Sequence, residues 1–245
     1  MFDLIAFDAD DTLWHNEPLF VATQAQFREL LLPYHPGEWI DERLHATEIK
    51  NLRHFGYGIK GFVLSMIETA VELTEGRISG AEIQKIMGWG YDMIAAPVEL
   101  LEGVEDTIGF LATGCRLALL TKGDLFDQES KLARSGLARY FDTIEVVADK
   151  TPATYRTVIA RYNVRPGRFL MVGNSLRSDV LPVLEIGGAA IHLPYHTTWQ
   201  HEHVPPEALA GLTIVELPSI REVAPWVWSR RAAPSPMSSS EPTSS

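Results

Sequence analysis

The stretch Phe7-Asp8-Ala9-Asp10-Asp11-Thr12-Leu13-Trp14 decides how this chain is read. The apolar run Leu4-Ile5-Ala6-Phe7 before it stops abruptly at three aspartates packed into four positions. A short run bounded in this way reads as a buried strand of a parallel sheet. Open α/β sheets bind their ligands outside the carboxyl ends of the strands, which is where these aspartates fall. Three carboxylates so close repel one another, and a cation relieves that cost. Side chains two apart on an extended chain point the same way, so Asp8 and Asp10 can face one ligand. A polar turn with a helix cap accounts for Asp10, Asp11 and Thr12 as readily. The octet alone does not choose, and the remainder of the chain has to.

Downstream of Trp14 the pattern turns helical. Phe20 to Leu32 carries apolar residues at helical spacing and is stopped by Pro33; Trp39 to Arg53 is a second helix. The three glycines of His54 to Gly61 mark a flexible connection. Phe62 to Thr74 and Ser79 to Ile94 follow as helices, with Ser79 and Glu82 at capping-box spacing. Four helices and no strand indicate a helical insert over residues 16–97. From Leu100 helices and apolar runs alternate. Val104 to Ala112, Leu125 to Ser135 (closed by Gly136), Pro152 to Tyr162 and Ser178 to Ile186 are the helices. Arg116 to Leu120, Thr143 to Val147, Phe169 to Val172, Ala189 to Leu193 and Leu212 to Val215 are the strands. Such alternation implies right-handed crossovers and a parallel sheet with helices on both faces. The expected organisation is a Rossmann-like α/β core over 1–15 and 98–229, the insert over 16–97, and a disordered Ser/Pro-rich tail over 230–245.

Composition narrows the function classes. With 245 residues, 46% hydrophobic and 22% charged, the chain can bury a sizeable core. A net charge of -11 disfavours nucleic acid and anionic membranes as partners, so a phosphate ligand needs local positive charge from lysines or a metal. The single cysteine, Cys115, cannot form an internal disulfide and reads as a packing residue, in keeping with a reducing compartment. The acidic N-terminus lacks a signal-peptide pattern and no apolar run approaches the roughly 20 residues of a membrane span, so a cytoplasmic location is expected.

Four polar groups each follow an apolar strand: Asp8/Asp10, Thr121 to Asp124, Asp149-Lys150 and Gly173 to Asp179. Parallel strands gather all four on one sheet edge. In this order the residues resemble the haloacid dehalogenase superfamily of hydrolases. Its first motif, Asp-x-Asp-x-Thr, is matched by Asp8-Ala9-Asp10-Asp11-Thr12, its second by Thr121, its third by Lys150 with Pro152 following. The fourth, a Gly-Asp pair with a later acid, is matched by Gly173-Asn174 and Asp179 with one departure. The insert resembles the family's helical cap of the first type.

The resemblance implies a Mg²⁺-dependent phosphatase that hydrolyses the phosphomonoester of a small metabolite through an aspartyl-phosphate. Asp8 is then the nucleophile, Asp10 the acid and base, and Lys150 the group that neutralises Asp8 and the transferring phosphoryl. Asp8, the Asp10 carbonyl and Asp179 are the expected Mg²⁺ ligands; Asn174, which replaces the usual acid, reaches the metal directly or through a water. Thr121, Lys122 and Gly123 are expected to hold phosphate oxygens, while Lys122, at a position where relatives carry Asn, either adds charge or points into solvent. A phosphomutase uses the same residues. A haloacid dehalogenase needs no proton donor at Asp10, and a non-catalytic binding module is encouraged only by Asn174.

Other features are given less weight. His192, His196, His201 and His203 match no zinc spacing and read as exposed loop residues. Trp14 packs more readily than it binds, and either Trp14 or His15 can line the substrate entrance. Arg53, Tyr57 and Lys60 flank the glycine-rich connection and could touch the far end of the substrate or simply be solvated. Asp11 is assigned to the turn. The sequence leaves the substrate and the oligomeric state open.

Overall fold

The computed structural model describes residues 2–197 and 199–230. Apart from Arg230, the expected disordered tail lies outside the described residues. The first strand, β1 (Leu4–Phe7), is followed by four helices: α1 (Glu17–Leu31), α2 (Gly37–Phe55), α3 (Ile59–Leu73) and α4 (Gly80–Ala95). Then come α5 (Val104–Ala112), β2 (Leu117–Lys122), α6 (Leu125–Ser135), β3 (Thr143–Val147), α7 (Pro152–Arg161) and β4 (Phe169–Gly173). The chain continues through α8 (Leu181–Glu185), β5 (Ala189–His192), α9 (Pro206–Leu209), β6 (Val215–Glu216) and α10 (Val223–Ser229).

All strand pairs are parallel, in the order β3-β2-β1-β4-β5-β6. The order reverses beside β1, and such a switch point opens a crevice at the carboxyl edge. β1 is buried on both faces, which is why its four residues are all apolar. Ile5 and Phe7 pack with Val104 and Ile108 of α5, Leu132 of α6 and Val223 of α10. Leu4 and Ala6 face Tyr155 and Val158 of α7 and Val183 of α8. Cys115 packs half-buried at the margin of the first of these two cores.

The four helices between β1 and α5 have a separate apolar core, built on Phe27, Leu31, Ile40, Leu44, Met66 and Ile86. Each of these side chains is almost wholly buried, a contribution of roughly 1.5–3 kcal/mol apiece. α4 starts with a complete capping box, in which Glu82 N donates to Ser79 Oγ and Ser79 N donates to Glu82 Oε2. No helix among the described residues is long and apolar enough to cross a membrane.

Four local readings are corrected. The glycine-rich connection is only Gly56-Tyr57-Gly58, because α2 runs on to Phe55 and α3 begins at Ile59; Gly56 and Gly58 take φ of +69° and +109°. β2 extends through Thr121 and Lys122, which pair with Val146 and Val147. β6 forms at Val215–Glu216 rather than over 212–215. The helix expected over 178–186 is split into a wide π-turn, Leu176–Val180, and then α8. Pro182 explains the split: it has no N–H to offer the carbonyl of Ser178, and that carbonyl instead accepts from the Tyr155 hydroxyl at 2.9 Å.

Candidate active site

The register of the central strands brings the first motif to the fourth. Phe7 lies opposite Val172, and Asp8 N donates to Val172 O at 2.9 Å, so Asp8 and Gly173 leave the sheet side by side. Lys150 arrives from the far side of β3, just before α7, whose start is fixed by the Thr151 cap and by Pro152. Its Nζ donates to Asp8 Oδ1 and to Asp179 Oδ1, the latter at 2.7 Å, with all three side chains buried. Asp8 Oδ2 accepts from Thr12 Oγ1 at 3.0 Å. Burial lifts the Asp8 carboxyl to about 6 against the pull of Lys150, and Asp179 and Asp10 add repulsion. Burial opposes the charge on Lys150, yet Asp179 and Asp8 outweigh it and hold the ammonium above its usual range.

Asp179 is carried by the π-turn, and its Oδ2 accepts from Ser175 N at 3.0 Å. A Cβ on Gly173 would lie 2.2 Å from that same oxygen, so β4 has to end in glycine for the carboxylate to reach the site. Asn174 stands against Thr12, its N donating to Thr12 Oγ1 at 3.1 Å and its Oδ1 lying 3.2 Å from the same hydroxyl.

Mg²⁺ suits this donor set. Two buried carboxylates, Asp8 and Asp179, converge on a single cation, Lys150, and burial and mutual repulsion lift Asp8, a cost that a second positive charge relieves. Among the described residues no three His, Cys, Asp or Glu side chains assemble as a metal cage. Mg²⁺ does not require one, since it binds through one or two carboxylates, substrate oxygens and retained waters.

Asp10 points to different partners. Its carboxylate accepts from Trp14 Nε1 at 2.7 Å, Gln128 Nε2 at 2.8 Å and Lys131 Nζ at 3.1 Å. Lys131 also pairs with Asp127 at 3.2 Å and donates to Asn16 Oδ1 at 2.8 Å. Gln128 and Lys131 are absent from the sequence-based site. The signal for them was an Asp127/Lys131 pair one helical turn apart in α6. Asp11 is more than a turn residue: at φ +59° its carboxylate accepts from the N–H groups of Asn16 and Glu17 and so caps α1. Burial nevertheless lifts that carboxyl to about 7.

Of the expected phosphate-holding residues, Thr121 is buried at the end of β2 and Gly123 follows with φ +139°. The Lys122 ammonium neither stands free nor points into solvent. It pairs with Glu202, donates to Ser178 Oγ at 2.9 Å and sits 4.2 Å from the centroid of the Tyr57 ring. Burial works against the Glu202 carboxylate, but Lys122 and the hydroxyls of Ser175 and Ser178 outweigh it and hold it at about 2. Sequence reasoning missed Glu202 altogether.

The histidines do not gather. His192 is a buried strand residue, not a loop residue, within bonding distance of Glu216 and of the Asn174 carbonyl. His196 packs on the rings of Tyr195 and His15, and His201 on Trp199. Trp14 is buried, and His15 Nδ1 lies 2.6 Å from the Tyr195 hydroxyl. The carboxyl edge of the sheet and the helices α1–α3 line one cleft. Tyr57 lines it; Arg53 and Lys60 do not, Lys60 being paired with Asp124 at 2.9 Å.

The family model of the haloacid dehalogenase-like hydrolases matches residues 2–187. A crystal structure of a haloacid dehalogenase-like family hydrolase from Xanthomonas campestris is 41% identical, with a TM-score of 0.82 over 93% of this chain and 91% of that one. Pyrimidine 5'-nucleotidase YjjG of Escherichia coli is 25% identical over 84% of this chain and 92% of its own length. Glyceraldehyde 3-phosphate phosphatase of Methanothermobacter thermautotrophicus is 27% identical over 47% of this chain, and the match spans about half (54%) of that relative.

Proposed function

We propose that this chain, which belongs to the haloacid dehalogenase-like hydrolases, is a Mg²⁺-dependent phosphatase that hydrolyses the phosphomonoester of a small metabolite through an aspartyl-phosphate on Asp8. The observation that carries the reading is Asp10, whose carboxyl lines the same cleft as Asp8 and is anchored by Trp14, Gln128 and Lys131. Expulsion of halide needs no proton, whereas expulsion of an alkoxide does. The phosphatase and nucleotidase among the relatives support the same class of substrate.

In the proposed cycle an Asp8 oxygen, oriented by Thr12 and Lys150, attacks phosphorus in line, and the ester P–O bond breaks. Asp10 gives its proton to the departing alkoxide. The resulting carboxylate then takes a proton from the water that attacks the aspartyl-phosphate at phosphorus. The Asp8 O–P bond breaks, and inorganic phosphate leaves with Asp8 restored. Lys150 offsets the charge of the transferring group throughout. Asp8, the Asp10 carbonyl, Asp179 and Asn174 would hold Mg²⁺, which supplies further charge neutralisation to the phosphoryl oxygens.

The residues from α1–α4, proposed as a cap over the 1–15 and 98–229 core, would restrict water at the reacting centre. Release of inorganic phosphate from para-nitrophenyl phosphate, with and without Mg²⁺, tests the reading. Turnover is expected only with Mg²⁺ and only with Asp8 intact. Activity surviving Asp8→Asn contradicts it, and a phosphorylated product in place of free phosphate assigns a phosphomutase instead.

A further inference from the structure

The two walls of the cleft differ in charge. Every cation lining it, among the described residues, comes from the sheet side and is already held by carboxylates. Lys150 is held by Asp8 and Asp179, Lys131 by Asp10 and Asp127, and Lys122 by Glu202. The helical wall contributes Glu17, Gln24, Glu48 and Asn51 beside the tilted rings of Phe20 and Phe62, whose centroids are 5.1 Å apart. Among its described lining residues it offers no Lys, Arg or His.

A second anion on the substrate would therefore lose its hydration facing two carboxyl groups and no available cation, an arrangement that rejects a ligand strongly. Uncharged hydroxyl and amide groups meet no such penalty. Gln24 offers both donor and acceptor, Asn51, whose Nδ2 donates to Ser65 Oγ at 3.2 Å and Glu68 Oε2 at 2.7 Å, offers its Oδ1, and the aromatic pair covers an apolar face. Burial also lifts the two carboxyls, Glu48 to about 8 with Glu17 repelling it and Glu17 to about 7 with Asp11 and Asp10 repelling it, the direction taken where no cation compensates them.

We infer that the leaving group of the substrate is a hydroxyl-bearing group of the polyol, sugar or nucleoside type that carries no negative charge of its own, and that esters carrying a second anion on that group are excluded. The inference rests on the phosphatase reading and adds the charge class of the part of the substrate that does not react. Glu48, on the wall of α2, is the residue it holds responsible.

The test compares kcat/KM for glycerol phosphate and phosphoglycerate, with para-nitrophenyl phosphate as the generic ester. Glycerol phosphate is expected to exceed the carboxylate analogue at least tenfold. Glu48→Lys, with folding checked by circular dichroism, is expected to lower the glycerol phosphate to phosphoglycerate ratio at least tenfold. Glu48→Gln, which adds no cation, is expected to keep the order. Hydrolysis of the generic ester with phosphoglycerate preferred overturns the inference and leaves the phosphatase reading standing. An unchanged ratio in folded Glu48→Lys overturns the role of Glu48. Failure to hydrolyse any ester overturns both readings.

Discussion

Glu202→Gln removes one charge from a buried cluster and leaves its shape intact. Glu202 is 10% exposed, pairs with Lys122, and accepts from the hydroxyls of Ser175 and Ser178. The fall of its carboxyl from 4.5 to about 2 corresponds to about 3 kcal/mol, at roughly 1.4 kcal/mol for each pH unit. The amide oxygen of glutamine still accepts from the two serines, so the expected loss is about 2–3 kcal/mol at neutral pH. The sign follows from a carboxyl depressed by folding. The stabilisation is complete above about pH 4.5, is lost as pH falls towards 2, and is roughly halved by pH 3. Urea unfolding of wild type and variant at pH 7 and pH 3 measures both numbers. Curves that coincide at pH 7, or that stay equally separated at both pH values, refute the charged latch. A cycle with Lys122→Met isolates the pair itself.

Two further substitutions probe the reacting groups. Lys131→Met leaves the Asp10 and Asp127 carboxylates without their buried partner and is expected to cost about 3–5 kcal/mol in chemical denaturation, with kcat falling more than KM changes. Gly173→Ala places a methyl where Asp179 Oδ2 now lies, 2.2 Å away. Displacing that carboxylate is expected to raise the Mg²⁺ concentration needed for half-maximal activity at least tenfold, read by metal titration, with about 1–3 kcal/mol lost from stability.

The parts of the molecule that the sequence discloses are those governed by neighbours along the chain. The apolar run of β1, the Ser79–Glu82 capping box and Gly136 as the end of α6 are local matters of burial, hydrogen bonding and backbone freedom. The parallel arrangement follows from the alternation of elements, and it carries Asp8, Thr121, Lys150 and Asp179 to one edge. Partnerships made across the fold are not legible in this way. Gln128 reaches Asp10 from 118 positions away, and Glu202 reaches Lys122 from 80 positions away. A glutamate in a loop carries no mark that separates it from a solvated one, and only folding shows it buried among hydroxyls. The π-turn was equally hidden, because the carbonyl that Pro182 frees is satisfied by Tyr155 of another helix. His192 falls within the strand expected over 189–193, so its place in the sheet is legible along the chain, whereas its bonding to Glu216 is set by sheet pairing.

Trapping the phosphoryl group on the protein tests the central claim most directly. A single turnover with a phosphorus-labelled ester and Mg²⁺, quenched in acid and digested, is expected to leave the label on the peptide containing Asp8. The label should be released by hydroxylamine, as an acyl phosphate requires, and should be absent in Asp8→Asn. Label on any other residue, or turnover of Asp8→Asn at the wild-type rate, would contradict nucleophilic attack by Asp8.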